Sequence, residues 1–170
     1  MENIRIYVGS YTAYNDGILD GCWLSLPMDE GEMWKEIKEH CVKGAEEFGI
    51  FDTDCVYDFN INELDNINDV NELAEDLEEY DSDDLEVLEA LICEGYARDI
   101  AEAVDLFPDC INYGSITMED LAEERATECG DLDGNSWLLN YIDWERVARD
   151  MSFDGTYFET SSGDLVELMY

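Results

Sequence analysis

The stretch N-I-R-I-Y-V-G, residues 3–9, is the clearest local signal in the chain and decides its fold class. Ile4, Ile6 and Val8 alternate with the other positions, which is the two-residue period of a strand with one buried face. After a polar loop, residues 20–26 form a second predicted strand. Two strands joined by a short loop predict a small antiparallel sheet at the start of the chain.

A helix and a third strand complete this first part. The helix is predicted to begin at Asp29 or Glu30 and to run to about Phe48. Its apolar face carries Met33, Trp34, Ile37 and Cys41. Residues 50–57 then return as a strand, so residues 1–60 are predicted to form a small α+β subdomain.

The remainder of the chain divides into two further parts. Residues 61–107 carry apolar side chains at helical spacing and predict a short helical bundle. Residues 108–170 predict a second α+β subdomain. Its expected elements are a short strand at 110–113, helices at 117–129 and 143–151, and a terminal hairpin of 153–159 and 164–169. The expected fold is therefore α+β: an elongated chain of three small subdomains, the outer two with small antiparallel sheets plus helices.

Charge is the strongest feature of the composition. The 170 residues include 45 acids, eight bases and one histidine, which gives a formal net charge of −37. Hydrophobic residues make up 46% and aromatic residues 12% of the chain, which excludes the acidic disordered class because that class lacks the means to form a core. Residues 61–107 hold 17 acids and a single base, Arg98. The chain is predicted to fold while repelling itself.

The acids of the middle part lack the basic neighbours that a solvated helix face normally has. They are Glu72, Glu75, Asp76, Glu78, Glu79, Asp83, Asp84, Glu86, Glu89 and Glu94. Two unit charges about 7 Å apart repel by about 0.6 kcal/mol in water, so dozens of such terms are large against a folding margin of about 5–15 kcal/mol. Because B-DNA carries one charge per roughly 1.7 Å, a charge of −37 matches about 60 Å of duplex. This amount of charge predicts a decoy whose carboxylates imitate DNA phosphates.

No residue pattern predicts catalysis, a metal site or a cofactor. The run D-L-D-G-N at 131–135 begins like a calcium-binding loop, but Ser136 and Ile142 stand where that loop needs Gly and Glu, so a polar turn is the better interpretation. The single histidine, His40, lies inside the predicted first helix and is interpreted as a surface residue. We expect a protein that is not an enzyme and has no catalytic or metal-binding residues.

The remaining signals concern the cellular compartment. The six cysteines form no C-x-x-C pair, and no secretory signal precedes the first strand, which predicts free thiols in a reducing cytoplasm. No stretch approaches the roughly 18 apolar residues that a membrane-spanning helix requires. The negative charge also disfavours direct contact with nucleic acid or anionic membranes. We expect a cytoplasmic protein.

Four segments resemble the ArdA antirestriction proteins, and their order is kept over nearly the whole chain. The first is R-I-Y-V-G-S-Y-T-A-Y-N-D-G-I-L-D-G-C-W-L-S-L-P, residues 5–27, in which the turn Tyr14-Asn15-x-Gly17 and the following Gly21-x-Trp23 are the most specific features. The others are N-E-L-A-E-D-L-E-E-Y at 71–80, M-E-D-L-A-E at 118–123 and N-Y-I-D-W-E-R-V-A-R-D-M at 140–151. In the last segment Trp144 stands where the family more usually has Tyr.

The resemblance implies a homodimer, encoded on mobile genetic elements, that binds Type I restriction–modification enzymes at the DNA groove of the methyltransferase core. It implies no catalytic residue and an acidic surface that follows the path of bent duplex DNA. We expect that surface to include Asp120, Glu123 and Glu124 in addition to the acids of the middle part. The dimer contact is expected in the C-terminal subdomain, with Phe107, Ile111 and Tyr113, although ordinary core positions explain these three equally well.

Three other functions are compatible with the same composition. An acidic chaperone or adaptor would bind another basic DNA-binding protein instead of a methyltransferase. A carboxylate-based hydrolase would need a concave site with a perturbed pair of acids. A salt-adapted structural protein would fold only at high salt, whereas a decoy folds in ordinary buffer and loses target affinity as salt rises.

Overall fold

The computed structural model describes residues 4–128 and 137–169. The chain divides into two compact units, Met1–Leu85 and Glu86–Tyr170, which we call the first and second unit. The described residues contain seven α-helices and two antiparallel sheets of three strands each, so the predicted α+β class is confirmed. The division into three subdomains stays a prediction, and the predicted turn at 131–135 lies outside the described residues.

The first unit is built on a sheet with strand order β2-β1-β3. Its strands are β1 (Ile4–Ser10), β2 (Cys22–Leu26) and β3 (Phe48–Cys55), and both pairings with the central strand β1 are antiparallel. The alternation seen in the sequence buries one face of β1, through Ile4, Ile6 and Val8. All three predicted strands are therefore confirmed, with small shifts at their ends.

Two helices connect these strands. A short helix, α1 (Tyr11–Asn15), lies where a polar loop was predicted, and the Ser10 hydroxyl caps it by accepting a hydrogen bond from the Ala13 amide. The longer helix, α2 (Glu30–His40), begins as predicted after Asp29, whose carboxylate accepts from the Glu32 amide. It buries Met33 and Ile37.

The end of α2 was predicted wrongly. The helix ends at His40, not near Phe48, because the chain becomes extended at Cys41. The next amide, that of Val42, donates to the Asp20 carboxylate, so it is not available to continue the helical ladder. Asp20 also accepts from the Ser10 amide at 3.2 Å. A single carboxylate from the β1–β2 connection thus fixes the point at which α2 stops.

Helix α3 (Ile67–Asp76), followed by a 3₁₀ turn at Leu77–Glu79, packs its apolar face into the first unit. The buried amide of Asn71 holds it there: its Oδ1 accepts from the Met28 amide and its Nδ2 donates to the Met28 carbonyl, both at 2.9 Å. The Trp34 indole donates to the Asn68 side chain at 2.8 Å. Helix α4 (Ser82–Cys93) follows, and the division between the two units falls within it.

The second unit combines helices with a sheet of order β4-β6-β5. Its helices are α5 (Ile100–Leu106), α6 (Met118–Glu128) and α7 (Trp144–Asp154), with 3₁₀ turns at Phe107–Asp109 and Trp137–Tyr141. Its strands are β4 (Cys110–Asn112), β5 (Thr156–Glu159) and β6 (Leu165–Leu168). The predicted terminal hairpin is confirmed as β5–β6, and its first strand is shorter than predicted because α7 continues to Asp154.

A charged pair lies within this second unit. The guanidinium of Arg125 on α6 donates to the carboxylate of Glu167 on β6, a residue that is only 7% exposed. Arg125 also donates to the hydroxyls of Tyr157, at 2.7 Å, and Tyr113, at 2.6 Å. Burial opposes the charge on Glu167, but the hydrogen bonds from Arg125 and the two tyrosines outweigh it and lower the pKa of Glu167. The pair and its tyrosines join α6 to the sheet.

We expect Asn71→Ala to lower the free energy of unfolding by about 1–3 kcal/mol, because it leaves the amide and carbonyl of Met28 without their partner. Urea denaturation followed by circular dichroism measures this. The control is Glu72→Ala, one residue further along α3 and exposed, for which a change within about 0.5 kcal/mol is expected. Equal losses of stability in the two variants would show that the hydrogen bonds between Asn71 and Met28 are not the cause of the effect.

The loss of stability caused by replacing Glu167 is expected to depend on pH. Because folding lowers its pKa below the ordinary value of 4.5, the ionised carboxylate stabilises the fold above that pH, and this contribution is lost as the pH falls through the lowered pKa. Glu167→Gln should lower the free energy of unfolding by about 1–3 kcal/mol at neutral pH. The difference from the unmodified protein should shrink toward acid pH. Exposed Glu159→Gln on β5 is the control, and a difference that stays constant with pH would contradict this account.

Candidate functional site

The solvent side of α3 carries the first group of predicted acids. Its buried side is formed by Ile67, Val70, Asn71 and Ala74. Glu75 and Asp76 follow Glu72 by three and four residues, all three are exposed, and the Cβ atoms of both therefore lie about 5–6 Å from that of Glu72. Asp69, which the prediction omitted, is also exposed and lies one turn before Glu72. Its spacing from Glu72 is visible in the sequence and could have identified it.

The acids continue beyond α3 toward α4. Glu78 and Glu79 are exposed in the 3₁₀ turn. Asp83 and Asp84 lie in the first turn of α4, where negative charge is favoured by the helix dipole. The cap of that helix is Asp81, whose Oδ1 accepts from the amides of both residues at 3.0 Å. Asp83 and Asp84 thus also contribute to helix stability.

The predicted acids of the second unit have mixed roles. Glu86 and Glu89 are half-buried, and their carboxylates accept hydrogen bonds from the Ser162 amide, at 3.3 Å, and from the Ser161 hydroxyl, at 3.4 Å. These bonds hold the β5–β6 turn against α4. Asp120 forms the predicted capping box, since its carboxylate accepts from the Thr117 amide and hydroxyl, and these bonds lower its pKa.

The remaining predicted acids are the candidate site residues of the two units, and we call them the uncompensated set. Its members are Glu72, Glu75, Asp76, Glu78, Glu79, Glu94, Glu123 and Glu124. All eight are exposed, and among the described residues the structure gives their carboxylates no hydrogen bond or ion pair. They lie on α3, the 3₁₀ turn after it, the end of α4, and α6.

Five of the eight bases pair with other carboxylates. Arg5 contacts Asp54 at 2.9 Å, and Arg98 contacts Glu102 at 2.9 Å. Lys35, Arg125 and Arg149 pair with Glu39, Glu167 and Asp150. None of these partners belongs to the predicted acidic surface. The negative charge of that surface is therefore left for an external partner or for salt ions.

Histidine and cysteine are the other side chains able to support chemistry. Within the described ranges, no group of three His, Cys, Asp or Glu residues is arranged to hold a metal ion. His40 is exposed at the end of α2, and its Nδ1 lies 2.9 Å from the Glu36 carbonyl. Burial raises the pKa of Cys22 and of Cys110 to about 11, so both free thiols are protonated at neutral pH and are weak nucleophiles. No helix in the described part of the chain has the length and apolar character of a membrane span.

The three predicted dimer residues lie in or beside the sheet of the second unit. Ile111, on the edge strand β4, is 42% exposed. Phe107 is half-buried in the 3₁₀ turn before β4. Tyr113 is half-buried, and its hydroxyl donates to Glu167 at 2.7 Å, which gives it a role within a single chain. Their part in a dimer stays a prediction, and Ile111 is the most accessible of the three.

Comparison with known proteins identifies the chain as a whole. A search of curated protein sequences gives no match. A family model described as antirestriction protein (ArdA) matches residues 6–165, which includes all seven described α-helices and every described strand except most of β6 and the first two residues of β1. Because the match is this long, the resemblance seen in four separate segments extends over one continuous stretch of the chain. The chain belongs to the ArdA antirestriction protein family.

Proposed function

We propose that this protein inhibits Type I restriction–modification enzymes by occupying the DNA groove of their methyltransferase core in place of DNA. Family membership supports an antirestriction function against Type I enzymes. The observation that carries the mechanism is the uncompensated set: eight exposed carboxylates, fixed on folded elements, without an ion pair in the described part of the chain. Carboxylates held in this way offer a cationic groove the same sign of charge that phosphates offer it.

The physical basis is competition between two polyanions. A DNA-binding groove gains much of its affinity from Lys and Arg contacts with phosphates. Carboxylates form charge-assisted hydrogen bonds with the same side chains, and the net charge of −37 accelerates the encounter. Because the protein presents no nucleobases, its binding is independent of the DNA sequence that the enzyme recognises. It acts by stoichiometric binding and has no catalytic step.

A homodimer formed through the second unit is part of the proposal. The edge strand β4 and the exposed Ile111 support it, since an unpaired strand edge can pair with a second copy. Two copies would double the negative charge available to a long groove. We place the protein in the cytoplasm, where Type I enzymes act, and assign it no membrane partner and no direct nucleic-acid partner.

An acidic chaperone or adaptor for another basic DNA-binding protein is the second candidate. The same unpaired carboxylates support it, because any cationic surface attracts them. The two functions differ in the partner that is bound most tightly. Titration against an isolated nucleoid-type basic protein and against a Type I methyltransferase, at equal salt, distinguishes them.

Competition with DNA is the first test. We expect the purified protein to displace duplex DNA from a Type I methyltransferase, and to do so less effectively at high salt, because the contacts are ionic. Fluorescence anisotropy of labelled duplex at two salt concentrations measures the displacement. Inhibition should extend to Type I enzymes of different sequence specificity. Simultaneous binding of DNA and protein to the enzyme would disprove the mechanism.

Neutralisation of the α3 surface is the second test. We expect Glu72→Gln/Glu75→Gln/Glu79→Gln to weaken binding about tenfold and to reduce its salt dependence, while each single change has an effect of less than about threefold. Isothermal titration calorimetry measures the affinity.

The matched control is Glu32→Gln/Glu36→Gln/Glu39→Gln, which removes the same charge from α2, where Lys35 and Lys38 already supply positive charge. Its effect should be smaller than that of the α3 triple. If both triples weaken binding equally, net charge alone would explain the affinity, and the assignment of the α3 surface would fail.

A further inference from the structure

Aromatic side chains cover the solvent side of the sheet in the first unit. Because Ile6 and Val8 face the core, Tyr7 and Gly9 of β1 face the other way. A bulge in the pairing of β1 with β3 leaves Phe51 unpaired and its ring over Gly9, where a Cβ atom would lie 2.7 Å from that ring. The opposite residue, Gly49, is covered in the same way by the ring of Tyr11.

These rings and their neighbours form what we call the aromatic band. It consists of two groups of contacting rings: Tyr7 with Trp23, and Phe51 with Tyr11 and Tyr14. The ring centroids of Tyr7 and Trp23 are 5.5 Å apart. Phe51 contacts Tyr11 edge-on at 5.3 Å and stacks on Tyr14 at 5.2 Å. Tyr14 is 60% exposed and Trp23 is 39% exposed, so two of the rings offer large areas to a partner.

Carboxylates accompany the band. Asp52 is exposed and lies opposite Tyr7 in the β1–β3 register. Asp54 is the next acid along the strand and binds Arg5 at 2.9 Å. The Arg5 guanidinium also lies 5.3 Å from the centroid of the Trp23 ring. The chain itself therefore shows how a cationic side chain is held here, between a ring face and a carboxylate.

We propose that the aromatic band binds arginine and lysine side chains of the target protein on its ring faces and supplies a part of the affinity that salt does not screen. This inference rests on the proposed function and concerns how the decoy selects its target. Carboxylates alone attract any basic protein, so they accelerate association but discriminate little between basic partners. Tyr, Trp and Phe faces add short-range contacts that require a matching partner surface, and such residues often dominate binding energy.

Charge complementarity decides between the partners that aromatic rings accept. Single-stranded nucleic acid also stacks on exposed rings. Here Asp52 lies opposite Tyr7 on a chain of net charge −37, which repels phosphates and attracts guanidinium and ammonium groups. A cationic protein surface is the occupant that fits.

The test measures the affinity for a Type I methyltransferase over a series of salt concentrations. We expect Tyr14→Ser and Trp23→Ser each to weaken binding about five- to tenfold at every salt concentration, giving lines parallel to that of the unmodified protein when log Kd is plotted against log salt. Tyr14→Phe keeps the ring face and should bind normally. Val56→Ser removes an exposed apolar side chain outside the band, 68% exposed, and should also bind normally.

Several outcomes would overturn the inference. The first is that Tyr14→Ser binds the methyltransferase as tightly as the unmodified protein, and the second is that Val56→Ser loses as much affinity as Tyr14→Ser. The third is that the variants change the slope of log Kd against log salt without shifting the line in parallel. The fourth is that the free protein binds a single-stranded oligonucleotide and Tyr14→Ser abolishes that binding. Thermal unfolding checks that each variant is folded, and if Trp23→Ser unfolds, Tyr14→Ser decides because its side chain lies largely in solvent. If the unmodified protein displaces DNA but Tyr14→Ser binds equally well, only the band is refuted. If the unmodified protein does not bind the methyltransferase, both proposals fail.

Discussion

Repulsion between carboxylates is the constraint that every part of this structure has to satisfy. With 45 acids and eight bases, the fold cannot neutralise its own surface, so it must hold the charges apart on stable elements. It does so by giving each unit a buried apolar face. In the first unit this is the inner side of the sheet, with Ile6 and Leu24 fully buried, and in the second it includes Leu121 and Val166. The core stabilises a shape in which the acids remain in solvent.

The few buried polar groups are those that can be fully paired. Asn71 has both its donor and its acceptor satisfied by Met28, and Glu167 faces Arg125 with two tyrosines around them. Ion pairs at the surface join bases to acids outside the uncompensated set. Pairing is thus concentrated where burial makes it necessary, and the helical acid surface remains available to a partner.

Much of this organisation was predictable from periodicity. The alternation in β1 and the apolar faces of α2 and α3 identified the core, and helical spacing placed Glu72, Glu75 and Asp76 on one exposed side. The errors have long-range causes. Helix α2 ends early because of Asp20, a residue twenty-two positions before Val42, and no local pattern contains that contact. The bonds of Glu86 and Glu89 to the distant β5–β6 turn were equally invisible in the sequence.

The aspartates that cap helices have a consequence for experimental design. Asp29, Asp81, Asp99 and Asp143 each accept a hydrogen bond from a backbone amide in the first turn of α2, α4, α5 and α7. Asparagine caps a helix about as well as aspartate does, with the same acceptor oxygen and no charge. At these positions the net charge of the protein can therefore be changed without changing its fold. A graded series of Asp→Asn replacements would lower the charge stepwise while the helices keep their starting points.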